Sequence, residues 1–441
     1  MAPAKSAPQP SKPLFPQLSG GPRRMPAEQV AEHQRARLEG AMVEAVARHG
    51  YAGTTLRELV ALAGVSKTTF YDHFESKEEC FLATFDAIIA ETARRAGAAY
   101  RGSGGFREGM TAGLSSFMDL VVEDQSAASL AVVESLTLGM AGVAHRERAS
   151  EIFEAAVRKS FEASPGKPRI SPVTVCGIVN GVNGVVYRRL RSGRAEELPG
   201  LVDTLIEWAL THTRPDTPAV QEAVAAAEAP TAIDPARFAD PEKPDWEDPP
   251  DSRLSRTTLS QRQRIVRAAA RVVVEDGYGA LSIPAISAAA GTSNQTFYQH
   301  FSGKRDAFLA AFEIVAGDVL GFARTAFKEA EDGPAAIGIG IRALTERIAS
   351  HRIFARLAFF ELPTAGPVAL DRSDAIMDRM TAYLSPGKAP SGIGGPVTET
   401  VREAIGSGIW AVIQREIAND RVDSLPDLAP EITRLALAPL Q

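Results

Sequence analysis

The chain repeats itself at an offset of 227 residues, and this feature narrows its possible folds more than any other. The segment GVSKTTFYDHF, Gly64 to Phe74, returns as GTSNQTFYQHF, Gly291 to Phe301. The same offset carries Arg35 to Arg262, Gly50 to Gly277, Lys77 to Lys304 and Phe85 to Phe312. It still holds far downstream, where Gly181, Arg188, Arg194, Leu198 and Pro199 become Gly408, Arg415, Arg421, Leu425 and Pro426. A chance local match would lose register over such a span, so a whole structural unit has been duplicated. Position 441 falls opposite Arg214, just ahead of a stretch rich in proline and acid.

That arrangement divides the chain into an N-terminal arm (1–28), a first unit (29–78 and 79–214), a linker (215–255) and a second unit (256–305 and 306–441). The arm is Pro-, Ser- and Lys/Arg-containing with no apolar periodicity, which predicts disorder. The core of the linker, APTAIDPARFADPEKPDWEDPPD, has prolines too dense for a helix to continue. Apolar periodicity in both units is helical and no strand alternation emerges, so the predicted fold is all-α. The 441 residues are too many for one ordinary core.

Composition excludes several functions. Two cysteines, Cys80 and Cys176, and seven scattered histidines form no metal-ligand spacing. No phosphate-binding glycine loop or catalytic triad spacing occurs, so no enzyme, cofactor or metal centre is expected. The apolar stretch from Val173 to Tyr187 is interrupted by Asn180 and Asn183 and is too short to span a bilayer. The first residues lack the apolar segment of a secretory signal. A soluble cytoplasmic protein without membrane attachment is the expectation. The formal net charge of −6 runs against a nucleic-acid partner unless a small basic reading surface is hidden in the total.

Each unit opens with three helix signals. Leu38, Ala41, Met42, Ala45 and Val46 form an amphipathic stripe, repeated by Ile265, Ala268, Ala269, Val272 and Val273. Gly50 and Gly277 stop these helices. Thr55 and Ser282 are placed to cap a second helix, and Gly64 and Gly291 supply a sharp turn into a short third one. Helix, glycine turn and short helix is a helix-turn-helix arrangement. On the third helix Phe70 and Phe74 share a face and anchor it, which frees Lys67, Thr68, Tyr71 and Asp72 for a groove.

The motif AGVSKTTFYDHFESKEECF, and its copy AGTSNQTFYQHFSGKRDAF, resemble the signature of the TetR/AcrR family of bacterial repressors. The resemblance implies that Lys67, Thr68 and Thr69 face bases, while Tyr71, His73 and Lys77 hold phosphates of a double-stranded DNA operator. The second set is Asn294, Gln295 and Thr296 with Tyr298, His300 and Lys304. Thr55, Ser282 and Arg57 join the DNA-contacting set, although Pro284 stands where the second unit would carry the arginine. Packing for the tyrosines and helix bracing for the histidines are the alternative roles.

The resemblance further implies a helical effector and dimerisation domain in each unit and a small-molecule effector. Ile178, Gly181, Val182 and Val185 with Leu205 form one interface set; Ile405, Gly408, Ile409 and Val412 with Ile432 form the other. These stripes suit either an intrachain pseudo-dimer or a homodimer of chains, internal packing being the alternative. Glu134 and Glu361, each inside an apolar run, are candidates to read a ligand or to pair with an arginine. The leading expectation is a ligand-released repressor. The alternative is a protein-interaction or ligand-binding protein on degenerate repeats with silent heads.

Overall fold

In the computed structural model, the residues described are 26–164, 166, 170–232, 260–330, 333–382 and 397–440. Most of the expected N-terminal arm and the Pro-dense core of the linker lie outside them. Every regular element is helical, and no strand occurs among the described residues. The elements resolve into two compact units that do not follow the duplication boundary. Of the described residues, the first comprises those within 26–135, 151–156 and 186–203; the second comprises those within 136–150, 157–185 and 204–440.

The first unit holds α1 (Ala27–Gly53), α2 (Leu56–Ala63), α3 (Lys67–His73), α4 (Lys77–Arg101), α5 (Phe106–Glu123) and α6 (Gln125–Val132). The expected stripe is its core, since Leu38, Met42, Ala45 and Val46 are buried with Leu59, Phe70, Phe74, Phe81 and Phe85. Gly50 takes φ 67°, ψ 168° and breaks α1 before its last residues. That region of backbone space is open to glycine and strained for other residues. Gly64 ends α2 in the left-handed conformation at φ 60°, ψ 38°, which turns the chain into α3.

Two further helices, α7 (Gly139–Glu162) and α8 (Pro172–Arg191), belong mostly to the second unit. Residues 125–162 are apolar enough to cross a membrane by length and composition. They do not form one rod, because a 3-10 turn (Glu134–Leu138) and Gly139 at φ 58° separate α6 from α7.

The second unit adds α9 (Val202–Thr211), α10 (Pro218–Glu228), α11 (Gln261–Asp276), α12 (Ile283–Ala290), α13 (Asn294–His300) and α14 (Lys304–Glu329). It continues with α15 (Pro334–Ser350), α16 (Arg352–Arg356), a π-helical turn (Leu357–Glu361), α17 (Pro367–Met380), α18 (Glu399–Ala418) and α19 (Ala429–Leu437). Its interior is aromatic. Phe359 meets Trp410 at 4.1 Å between ring centroids, and Phe354 stacks on Phe312 at 6.5 Å. The first repeat carries Ala127, Val132 and Asn183 where the second has Phe354, Phe359 and Trp410.

The expected linker does not begin as one. Pro218 occupies the first turn of α10, where its missing N–H is no loss, and the Thr217 hydroxyl caps the helix by accepting from the Val220 N–H at 3.5 Å. Val220, Ala223, Val224 and Ala227 are buried against α15 and α19. A Cβ at Gly338 would collide with the Ala223 carbonyl, and the first repeat has Thr111 at that position. Proline here starts a helix instead of preventing one.

Inside this unit, α8 crosses α18 at glycine distance. A Cβ on Gly181 would lie 2.6 Å from the Ala404 carbonyl oxygen, and one on Gly408 would lie 2.6 Å from the Gly177 oxygen. Because Gly181 is the counterpart of Gly408 and Gly177 of Ala404, the pair of contacts is reciprocal, as a two-fold relation between equivalent helices requires. Ile178, Val185, Leu205, Ile405, Ile409, Val412 and Ile432 are all buried, while Val182 is half-buried. Leu201 and Leu428 end 3-10 turns, Ala195–Leu201 and Val422–Leu428, which contain Pro199 and Pro426.

Candidate nucleic-acid interface

The two reading heads are built by the same local rules. Ser66 caps α3 by accepting from the Thr69 N–H at 2.9 Å, and Ser293 caps α13 through Thr296 at 3.0 Å. The Thr69 and Thr296 hydroxyls also lie 2.9 and 3.0 Å from those of the capping serines. Thr55 and Ser282 cap α2 and α12, each at 3.3 Å. These four caps order the turn by satisfying amide N–H groups at helix starts.

Below each short helix lies an aromatic brace. Phe70 and Phe74 are 5.8 Å apart, as are Phe297 and Phe301. Arg35 lies over the Phe74 ring at 4.8 Å and Arg262 over Phe301 at 5.1 Å. With that face committed, Lys67, Thr68, Tyr71 and Asp72 are exposed on α3, and Asn294, Gln295, Tyr298 and Gln299 on α13. Tyr71 and Tyr298 expose 52% and 60% of their surface, more than a purely packing role would leave a tyrosine. Their edges rest against Phe70 and Phe297, and the Lys67 ammonium sits 5.8 Å from the Tyr71 ring. Arg57 is exposed, as is Pro284 opposite it.

Other expected contacts have partners inside the head. His73 Nε2 lies 3.2 Å from the Gln34 amide oxygen, and His300 Nε2 lies 3.4 Å from that of Gln261. The Lys77 ammonium donates to the Tyr51 and Thr54 carbonyls at 2.9 Å each, at the end of α1. Lys304 donates to Leu281, the counterpart of Thr54, at 2.7 Å. Burial lowers the pKa of Lys77 from its ordinary value. An ammonium has three donors, so these lysines keep capacity beyond the bonds they make within the head. Burial, with the charge of Glu78 adding to it, pushes the Tyr51 phenol up to about 12.

Glu134 and Glu361 have found a partner that the sequence did not reveal. Glu134 Oε2 accepts the Tyr51 N–H at 2.8 Å, and Glu361 accepts that of Tyr278 at 2.9 Å. The two amides follow Gly50 and Gly277, whose turn (φ 67° and 82°) brings the backbone to the carboxylate. Each carboxylate thus ties the effector portion to the turn at the end of the first helix of its own head. Glu361 also has the Arg356 guanidinium 3.9 Å away. Among the described residues, no group of three His, Cys, Asp or Glu side chains is placed to hold a metal ion.

A capped helix, a left-handed glycine turn and a short braced helix with an exposed polar face define a helix-turn-helix DNA-binding regulator, here twice in one chain. The family model described as bacterial regulatory proteins, tetR family, matches residues 40–84 and again 265–311. The chain is thus a TetR-like transcriptional regulator, with two tetR-family DNA-binding domains in tandem on one polypeptide. No curated protein sequence matches it. Among solved structures, the regulator FadR of Bacillus subtilis in complex with stearoyl-CoA is similar at 16% identity and a TM-score of 0.36, over 39% of this chain and 96% of that one. FadR of Bacillus halodurans is similar at 14% and 0.37, over 40% and 96%. A TetR family regulator from Marinobacter aquaeolei VT8 stands at 20% and 0.32, over 39% and 94%.

Proposed function

We propose that the chain is a ligand-released repressor that brings two heads to one operator as a single-chain pseudo-dimer. The observation that carries the reading is the duplicated head. The same caps, aromatic brace and exposed face recur at α3 and α13, although the residues on that face have diverged. A repeat that had lost DNA contact would have little reason to keep a half-exposed tyrosine over an intact brace. Lys67, Thr68, Asn294 and Gln295 are assigned to base edges. Tyr71, Tyr298, Arg57 and the spare donors of Lys77 and Lys304 are assigned to phosphates. His73 and His300 support the third helix from α1 and α11.

The reciprocal crossing of α8 and α18 supports the pseudo-dimer, because equivalent surfaces pair within one chain. For release, Glu134 and Glu361 are the joints. A small molecule that favours another arrangement of the effector helices would pull these carboxylates from the Tyr51 and Tyr278 amides and re-aim the heads, a shift of population between two states. On this reading the protein is a cytoplasmic, non-enzymatic regulator without cofactor or membrane attachment.

The test mixes the full-length chain with fragmented genomic DNA, sequences what is retained and repeats the binding at rising salt. A small set of enriched fragments, lost steeply as salt rises, is the expected result, since phosphate contacts release counterions. Retention without enrichment, or no retention at all, defeats it. The small-molecule fraction of a cell lysate should then release the chain from those fragments, and release by no such fraction defeats the ligand-released part.

A further inference from the structure

The two heads share a scaffold but not a surface. From 55 to 78 the first head carries three basic and four acidic side chains; from 282 to 305 the second carries two basic and none acidic. The differences lie at matched positions on and beside the exposed helices. Glu58, Asp72, Glu75 and Glu78 of the first head are Ala285, Gln299, Ser302 and Arg305 in the second. Asp72, Glu75, Glu78, Gln299, Ser302 and Arg305 are all exposed, so the change is presented to solvent. At the base-facing positions Lys67 and Thr68 become Asn294 and Gln295, also exposed. The braces beneath are superposable in kind, with the same 5.8 Å phenylalanine pair and the same serine caps. What differs is therefore chemistry at the DNA-facing surface, not the frame that presents it.

Resting on the DNA-binding reading above, we propose that the heads are unequal readers of an operator with two unlike half-sites. A lysine donates to the O6 and N7 acceptors of guanine, whereas Asn and Gln match the donor–acceptor pair of adenine. Lys67 is the guanine-reading residue of the first head, and Asn294 and Gln295 are the adenine-reading residues of the second. Electrostatic attraction is divided the other way. The second head approaches any duplex with little repulsion and supplies more of the sequence-independent affinity. In the first head Asp72, Glu75 and Glu78 oppose the phosphates, so that head holds only where its base contacts are made. This division also explains how an acidic chain binds DNA: one head keeps a net positive charge.

The experiment selects duplexes from a random library with the full-length chain, then repeats the selection with Lys67→Ala, with Asn294→Ala/Gln295→Ala and with Glu78→Arg and Arg305→Glu. Two unlike half-motifs are expected. Lys67→Ala should relax a guanine-bearing half alone, and Asn294→Ala/Gln295→Ala an adenine-bearing half alone, each costing about tenfold or more in preference at its own positions. Arg305→Glu should weaken binding to unrelated duplexes and reduce the dependence of log K on log salt by about one or more; Glu78→Arg should strengthen it. A palindromic motif, or relaxation of both halves by either recognition variant, overturns the proposal while leaving DNA binding intact. Failure to select any duplex removes the DNA-binding reading itself, and this inference with it.

Discussion

Replacing Gly408 by alanine adds one methyl group where the structure has room for none. The new carbon would lie 2.6 Å from the Gly177 carbonyl oxygen, against ordinary contact at 3.4 Å and beyond, so α8 and α18 would have to part by about 0.8 Å. A backbone carbonyl inside a helix cannot swing aside as a side chain can. Overpacking of this kind costs about 1–3 kcal/mol, while alanine in place of glycine in a helix returns about 1 kcal/mol. Gly321, inside α14, supplies the control, because nothing lies within 4 Å of a Cβ added there. Urea unfolding should find Gly321→Ala stabilised by up to about 1 kcal/mol and Gly408→Ala destabilised relative to it by about 1–3 kcal/mol. Gly181→Ala should cost at least as much as Gly408→Ala, since its new carbon meets the Trp208 ring at 2.5 Å as well as the Ala404 oxygen at 2.6 Å. The double variant should cost less than the two singles together, because one separation of the helices relieves both clashes. The midpoint should not move with chain concentration, as it would if the partner were another chain. Gly408→Ala as stable as Gly321→Ala would refute the close crossing, and a concentration-dependent midpoint would refute its intrachain origin.

Three further outcomes are expected. Glu134→Ala strands the Tyr51 N–H and should cost about 1–3 kcal/mol with a loss of operator affinity, part of it restored in Glu134→Gln; thermal melts and binding titrations read both, and an unchanged Glu134→Ala would remove the joint. Gly338→Val should drive α10 off α15, raising amide exchange across 218–228 while binding to DNA persists; undisturbed protection there would contradict the packing. His212 should make the protein acid-sensitive. Both its ring nitrogens are shut away without a partner, although the residue as a whole is half-buried, and burial lowers its pKa from 6.5 to about 4. The folded state therefore holds fewer protons than the unfolded one, and stability falls as pH drops from about 6.5 towards 4, by as much as on the order of 3 kcal/mol. His212→Phe should flatten melting temperature across that window, and an equal decline in both proteins would argue against His212.

The heads were legible in sequence because their determinants are short-range. Thr55, Gly64, Ser66, Phe70 and Phe74 each act within a turn or two of where they stand, and repetition at 227 residues separated them from chance. The interface stripes were legible as apolar faces, but nothing in a stripe names its partner. The reciprocal contacts of Gly181 with Ala404 and Gly408 with Gly177 became visible only in three dimensions. Glu134 was conspicuous as a carboxylate in an apolar run, yet its partner is a main-chain amide 83 residues away, and backbone groups leave no mark on a residue pattern. The docked α10 was hidden differently. Thr217 and Pro218 form a sound helix start, but the proline density that follows argued for a linker throughout. Gly338, the residue that admits α10, carries meaning only beside its counterpart Thr111.

On the proposed reading, one chain delivers both heads to one operator. Sedimentation of the full-length chain with a duplex recovered from the genomic selection measures this directly, through the mass of the complex. One chain per duplex is expected, with that mass unchanged as protein is diluted towards the dissociation constant. A complex holding two chains on a single operator, with like heads on like half-sites, would contradict it.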